Sequence, residues 1–164
     1  MTRKRALEAS VREQVDMSIL QVYEGDIPNL QNIAERCLTE SILLEDSVLR
    51  ELKIHTAKNI RDYAVKDRCV FVKYVEEKQV VGYILIKNFW NLSDLFVMPE
   101  KQGRGIGAKL LKYAIASARE KSDRNYIWVN SSENAEQFYR KCGFNSRVET
   151  GKCIPGVVPL ELLL

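Results

Sequence analysis

The chain predicts an α/β fold built on one mixed sheet, and three observations lead there. The hydrophobic period alternates between helical and strand-like in the order strand, two helices, three strands, helix, strand, helix, two strands. A helix separates the fourth strand from the fifth, so those two run parallel if they are neighbours, and the sheet is mixed. Apolar residues make up 46% and charged residues 29% of the 164 residues, the balance of a globular chain able to bury one core without staples. A single domain over 1–164 is expected, with 1–17 a lead-in of no clear period.

Taken in order, Met17 to Tyr23 reads as the first strand, and Asp26 as an N-cap ahead of a helix that tolerates Pro28 in its first turn. Leu30, Ile33, Ala34, Cys37 and Leu38 fall on one face of that helix. A second helical stretch covers 46–64. Its stripe of Leu49, Leu52, Thr56, Ile60 and Tyr63 is less regular, which allows two shorter helices. Cys69 to Val75 and Val80 to Lys87 form a hairpin around a polar turn, and Gly82 marks a bulge or a close backbone approach. Asn91 to Met98 is the next strand, stopped by Pro99. A helix from about Gly105 or Ile106 buries Ile106, Leu110, Leu111, Ala114, Ile115 and Ala118. Arg124 to Asn130 is a short strand. Ser131 or Ser132 caps a helix with Ala135, Phe138, Tyr139 and Cys142 on its face, and Gly143 stops it. Phe144 to Thr150 and Val157 to Leu164 close the sheet, with Pro159 arguing for an edge or a bulge.

A net charge of +3 is too small to argue for nucleic acid, and no apolar run approaches a membrane span. The basic start lacks an apolar secretory segment, so a cytoplasmic protein is expected. Cys37, Cys69, Cys142 and Cys153 form no short pair, and no metal site is predicted.

The most informative stretch is Gln102-Gly103-Arg104-Gly105-Ile106-Gly107-Ala108. Its glycines permit a tight turn and close ligand approach, and the helix start adds outward amides and a positive dipole end. Arg104, Lys101 and Lys109 add mobile positive charge. This is an anion cradle suited to phosphate. A Walker loop requires Gly-Lys-Ser/Thr, whereas Ala108 follows Gly107 here. A dinucleotide fingerprint requires GxGxxG and a later acidic residue, whereas the next strand ends Val129-Asn130.

Together with Leu95-Phe96-Val97-Met98-Pro99-Glu100 before it, the loop resembles the acetyl-CoA signature of the GCN5-related N-acetyltransferase (GNAT) family. Phe138-Tyr139-Arg140-Lys141-Cys142-Gly143-Phe144 is similar to that family's later helix. The resemblance spans Val70 to Phe144 and leaves 1–66 without a signature. It implies a largely antiparallel sheet of six to seven strands, splayed in the middle and flanked by about four helices. It further implies that Leu95, Phe96 and Val97 meet the acyl and pantetheine groups, and that Gln102 to Ala108 hold the pyrophosphate. Ser132 stands where many members carry Asn, and the displaced Asn134 is carried as a pantetheine-side candidate.

Acyl transfer to an amine needs a neutral nucleophile, a stabilised oxyanion and a proton for the leaving thiolate. Tyr139 matches the family's proton donor to sulfur; on its apolar stripe it also reads as a core tyrosine. Asp94 is the acidic candidate for taking the amine proton, against an ordinary strand carboxylate or an ammonium anchor. Glu100 and His55 read as structural, and Trp90 and Trp128 as core or sheet-face residues. The expected activity is acyl transfer from acetyl-CoA to a primary amine, with a small-molecule acceptor ahead of a peptide or protein amine. A non-catalytic acyl-CoA sensor and an aminoacyl-tRNA substrate are the alternatives, and the sequence leaves monomer and homodimer open.

Overall fold

The structure, a computed structural model, describes residues 18–41, 44–148, 151 and 153–164. The lead-in over 1–17 and the last two residues of the strand expected over 144–150 lie outside the described residues. Seven strands form one sheet in the order β1 (Ile19–Gln21), β2 (Cys69–Glu76), β3 (Gln79–Lys87), β4 (Asn91–Val97), β5 (Tyr126–Ser132), β7 (Val157–Leu163) and β6 (Asn145–Ser146). All neighbours are antiparallel except β4 and β5. Among the described residues four α-helices flank the sheet: α1 (Ile27–Ser41), α2 (Asp46–Tyr63), α3 (Ile106–Lys121) and α4 (Glu136–Lys141). None of them is long and apolar enough to cross a membrane.

β3 carries the packing. Val81 to Ile86 is buried throughout, because helices cover both faces and the strand needs no polar side. Tyr83 and Leu85 meet Leu30, Ile33, Ala34 and Cys37 of α1 and Ile60 of α2. Ile84 and Ile86 belong to the opposite core, with Ile106, Leu110, Leu111, Ala114 and Ala118 of α3. Leu110 is completely buried there. Leu110→Ala should therefore cost about 2–5 kcal/mol in denaturant unfolding, the usual range for a cavity left by a core leucine.

Several expectations are corrected. α2 is one unbroken helix, because Thr56 and Asn59 fill its inner face as buried polar residues where the apolar stripe lapses. Asp26 does not cap α1; its Oδ2 accepts from Tyr23 N at 2.8 Å and closes a short 3-10 turn before that helix. Ser132 precedes a similar turn ahead of α4, but its side chain makes no capping bond. Pro159 lies within β7, between β5 and β6, rather than on an edge. Its carbonyl accepts from Arg147 N at 3.1 Å, and its missing N–H faces the same side, where β6 ends after two residues.

Two bulges shape the centre. Register passes from Tyr74 opposite Gly82 to Val75 opposite Val80, so Val81 is unmatched in β3. A Cβ on Gly82 would sit 2.9 Å from Phe96 O, so only glycine admits this approach of β4. Register also passes from Leu85 opposite Asp94 to Ile86 opposite Leu92, which leaves Ser93 as the extra residue of β4. β4 and β5 pair only at Asn91 with Trp128 and Leu92 with Val129. Beyond Leu92 the two strands separate into a fork.

Candidate active site

The fork opens into a cleft of about 500 Å³ that runs to the glycine loop. β4 supplies Leu95, Phe96 and Val97, the loop and first turn of α3 supply Gln102, Gly103 and Gly105 to Ala108, and the β5–α4 connection supplies Ser132, Asn134 and Ala135. Phe138 and Tyr139 of α4, Cys37 of α1 and Lys101 complete the lining. Every site residue expected from the sequence therefore borders one space, with two exceptions: Arg104 and Asp94 do not line it.

Gly103 and Gly105 carry left-handed φ values of 75° and 82°, and a Cβ added to either would meet nothing within 4 Å. Both glycines border the cleft and face open space. No side chain caps α3 at Gly105, so its first-turn amides face that space as donors. An anionic diphosphate fits this donor set. The basic side chains beside it have partners within the protein. Glu76 Oε2 accepts from Lys101 Nζ at 2.6 Å, and Arg104 Nη2 lies 3.1 Å from Glu76 Oε1. The Lys101 ammonium, with Arg104 beside it, holds the Glu76 carboxyl below its usual range. Lys109 Nζ lies 3.4 Å from Tyr74 OH.

Val97 O, facing the cleft end of β4, accepts from Gln102 Nε2 at 2.9 Å and from Cys37 Sγ at 3.1 Å. Burial pushes the Cys37 thiol up to about 11, so it is a hydrogen-bond donor rather than a thiolate nucleophile. Cys37 is legible in the sequence as a buried position of α1, but its place at the cleft depends on β4, 60 residues away. Glu100 takes a structural role, accepting from both Arg36 Nη1 at 3.1 Å and Nη2 at 2.8 Å, which ties α1 to the loop after β4.

Tyr139 is 6% exposed and packs edge-on against Phe138 and Phe144. Burial, and then the charge of Asp94, hold its phenol well above the ordinary value, so it stays protonated at neutral pH. Asp94 is 2% exposed and sits one layer behind the cleft. Its carboxylate accepts from Ser93 Oγ and, at 3.2 Å, from Tyr83 OH. Burial raises its pKa, and the two hydroxyl donors only partly offset that. The folded state thus binds the proton more tightly than the unfolded chain, so stability falls as pH rises from about 4 through the folded pKa. Asp94→Asn should abolish that slope, read as the difference between wild-type and variant melting temperatures across pH.

Comparison with known proteins identifies the architecture. The family model for the acetyltransferase (GNAT) domain matches residues 39–153. The chain belongs to the GNAT family. An uncharacterized N-acetyltransferase of Methanocaldococcus jannaschii is 28% identical over 81 residues, covering 48% of this chain and 32% of that protein, so the match spans about a third of the relative. The PaiA N-acetyltransferase of Thermoplasma acidophilum, solved in complex with coenzyme A, superposes with a TM-score of 0.74 at 16% identity, covering 89% of this chain and 98% of that one. A GCN5-related N-acetyltransferase of Rhodopseudomonas palustris gives 0.72 at 17% identity, covering 89% and 94%. These likenesses show the GNAT fold, and the family whose model matches is one of acetyltransferases. Among the described residues no group of three or more His, Cys, Asp and Glu is placed to hold a metal ion.

Proposed function

We infer that this GNAT chain is an acetyl-CoA-dependent N-acetyltransferase acting on a primary amine by direct attack. The observation that carries the reading is the single cleft joining the β4–β5 fork to the glycine loop, with Tyr139 on its wall. Bound acetyl-CoA supplies the thioester. The amides of the first turn of α3, with Gly103 and Gly105, hold its diphosphate, and Leu95 to Val97 and Asn134 line the path of its pantetheine arm. Arg104, turned to Glu76, contributes from outside the cleft. Tyr139 donates to the sulfur as the C–S bond breaks, and Asp94 is the sink for the amine proton.

The acceptor enters from the α1/α2 side of the fork, where Ser93 and Asp94 stand. A small amine of the cytoplasm is the substrate class proposed. The test is acetyl-CoA-dependent release of free thiol across alkylamines, polyamines, amino acids, aminoglycosides and short peptides. Turnover with a primary amine supports the reading. Stabilisation by CoA without thiol release from any of them overturns it in favour of an acyl-CoA sensor.

A further inference from the structure

Behind the cleft, on the α1/α2 face of the sheet, lies a second polar cluster. Asn59 of α2 is 6% exposed, and its side-chain amide is held at both ends. Its Oδ1 accepts from Lys87 Nζ at 3.4 Å, and its Nδ2 donates to Ser93 Oγ at 3.0 Å, with His55 Nδ1 3.3 Å from the same nitrogen. The lysine fixes which way the amide points. An ammonium only donates, so the amide oxygen faces Lys87 and the amide NH₂ faces Ser93. Ser93 Oγ thus receives a donor, and its own hydrogen goes to Asp94 Oδ1. The donors run one way, from Lys87 through Asn59 and Ser93 to the carboxylate.

Access to that carboxylate is equally one-sided. Its other partner, Tyr83, is fully buried, whereas Ser93 is half-buried and is the bulged residue at the first β4 position past the fork. Ser93 does not itself line the cleft, but along β4 it stands next to the last residue paired with β5 and carries the more accessible of the two hydroxyls bonded to Asp94.

We propose that Ser93 passes the acceptor amine's proton to Asp94, and that Asn59 and Lys87 are positioning residues that keep its hydroxyl aimed at the carboxylate. This rests on the reading of Asp94 as the proton sink. As the amine nitrogen bonds to the acyl carbon, its N–H proton goes to Ser93 Oγ, directly or across one water. Ser93's own proton goes to Asp94 Oδ1, and the electron pair of the C–S bond leaves on sulfur, where Tyr139 donates. Asp94 ends as a neutral acid still bonded by Tyr83. The charged and titratable groups that face Asp94 are Tyr83 and Lys87 of β3, His55 of α2 and Tyr139 of α4.

The experiment compares thiol release with two probes, the fastest primary alkylamine of the panel and hydroxylamine, whose weakly basic nitrogen gives up its N–H proton to water far more readily once it bonds to the acyl carbon and so depends less on a relay. Ser93→Ala should lower kcat/KM for the alkylamine at least about tenfold while hydroxylamine and acetyl-CoA affinity change less than about twofold, and Ser93→Thr should restore most of the loss. Asn59→Leu and Lys87→Met should each move the acid limb of the alkylamine profile; Lys87→Met, at a half-buried side chain, reads the same lock if Asn59→Leu does not fold. Full alkylamine activity in Ser93→Ala while Asp94→Asn is impaired overturns the relay and leaves the Asp94 reading intact. Equal losses with both probes make Ser93 structural and overturn it too. An unimpaired Asp94→Asn overturns the Asp94 reading and the relay together.

Discussion

Tyr139→Phe should lower kcat by about 10- to 150-fold with little change in acetyl-CoA affinity. The size comes from the direction of the phenol's shift. A thiol titrates near 8.5 and a phenol near 10, and Tyr139 is held higher still, so complete proton transfer to the departing thiolate runs uphill. What the phenol can give is a hydrogen bond to developing charge, worth about 1.5–3 kcal/mol, which converts to that range of rates. The same shift keeps Tyr139 protonated through about pH 9, so the alkaline side of the profile should show no loss from its ionisation. Single-turnover measurement of thiol release separates this effect from product release. A variant as fast as wild type would confine Tyr139 to packing against Phe138 and Phe144.

Gly105→Ala is expected to weaken CoA binding as well as to lower folding stability. Its φ of 82° is left-handed, so alanine strains the turn by about 1–2 kcal/mol. The added Cβ meets no protein atom, and Gly105 borders the cleft in which the diphosphate is proposed to lie. The strain is common to free and bound protein, so the loss of one charge-assisted hydrogen bond, about 1.5–3 kcal/mol, alone predicts a rise in the CoA dissociation constant of at least about tenfold, measured by calorimetry. Gly107→Ala is the internal control. Gly107 lies within α3 at an ordinary φ, and its Cβ would meet the Phe138 ring at 3.6 Å, a normal contact. Alanine there should hold or raise the melting temperature, since glycine within a helix costs about 1 kcal/mol relative to alanine.

Local chemistry makes much of this legible in the sequence. The α1 stripe from Leu30 to Leu38 is buried as its spacing predicts, and the glycine turn opens α3 at Ile106. What escapes depends on partners far along the chain. Asn59 breaks the apolar stripe of α2 because Lys87 and Ser93 satisfy it, and neither adjoins it in sequence. Glu76 reads as part of a polar turn, yet β2 extends through it and it accepts hydrogen bonds from Lys101 and Arg104, 25 and 28 residues away. Asp94 is legible as an acidic residue on β4, but the bulge at Ser93 that gives it a neighbouring hydroxyl arises only in register with β3. Pro159 reads as an edge signal, but an interior strand can carry proline where its neighbour ends.

The two-residue seam between β4 and β5 has a consequence for assembly. Where pairing stops, a sheet acquires an edge in its own middle, and exposed edges invite strands from other chains. Here the carbonyl at Val97 is already engaged by the side chains of Gln102 and Cys37, whose single bonds can exchange with those of an incoming ligand. The side chains that engage this carbonyl thus leave the internal edge less open to pairing with a second strand.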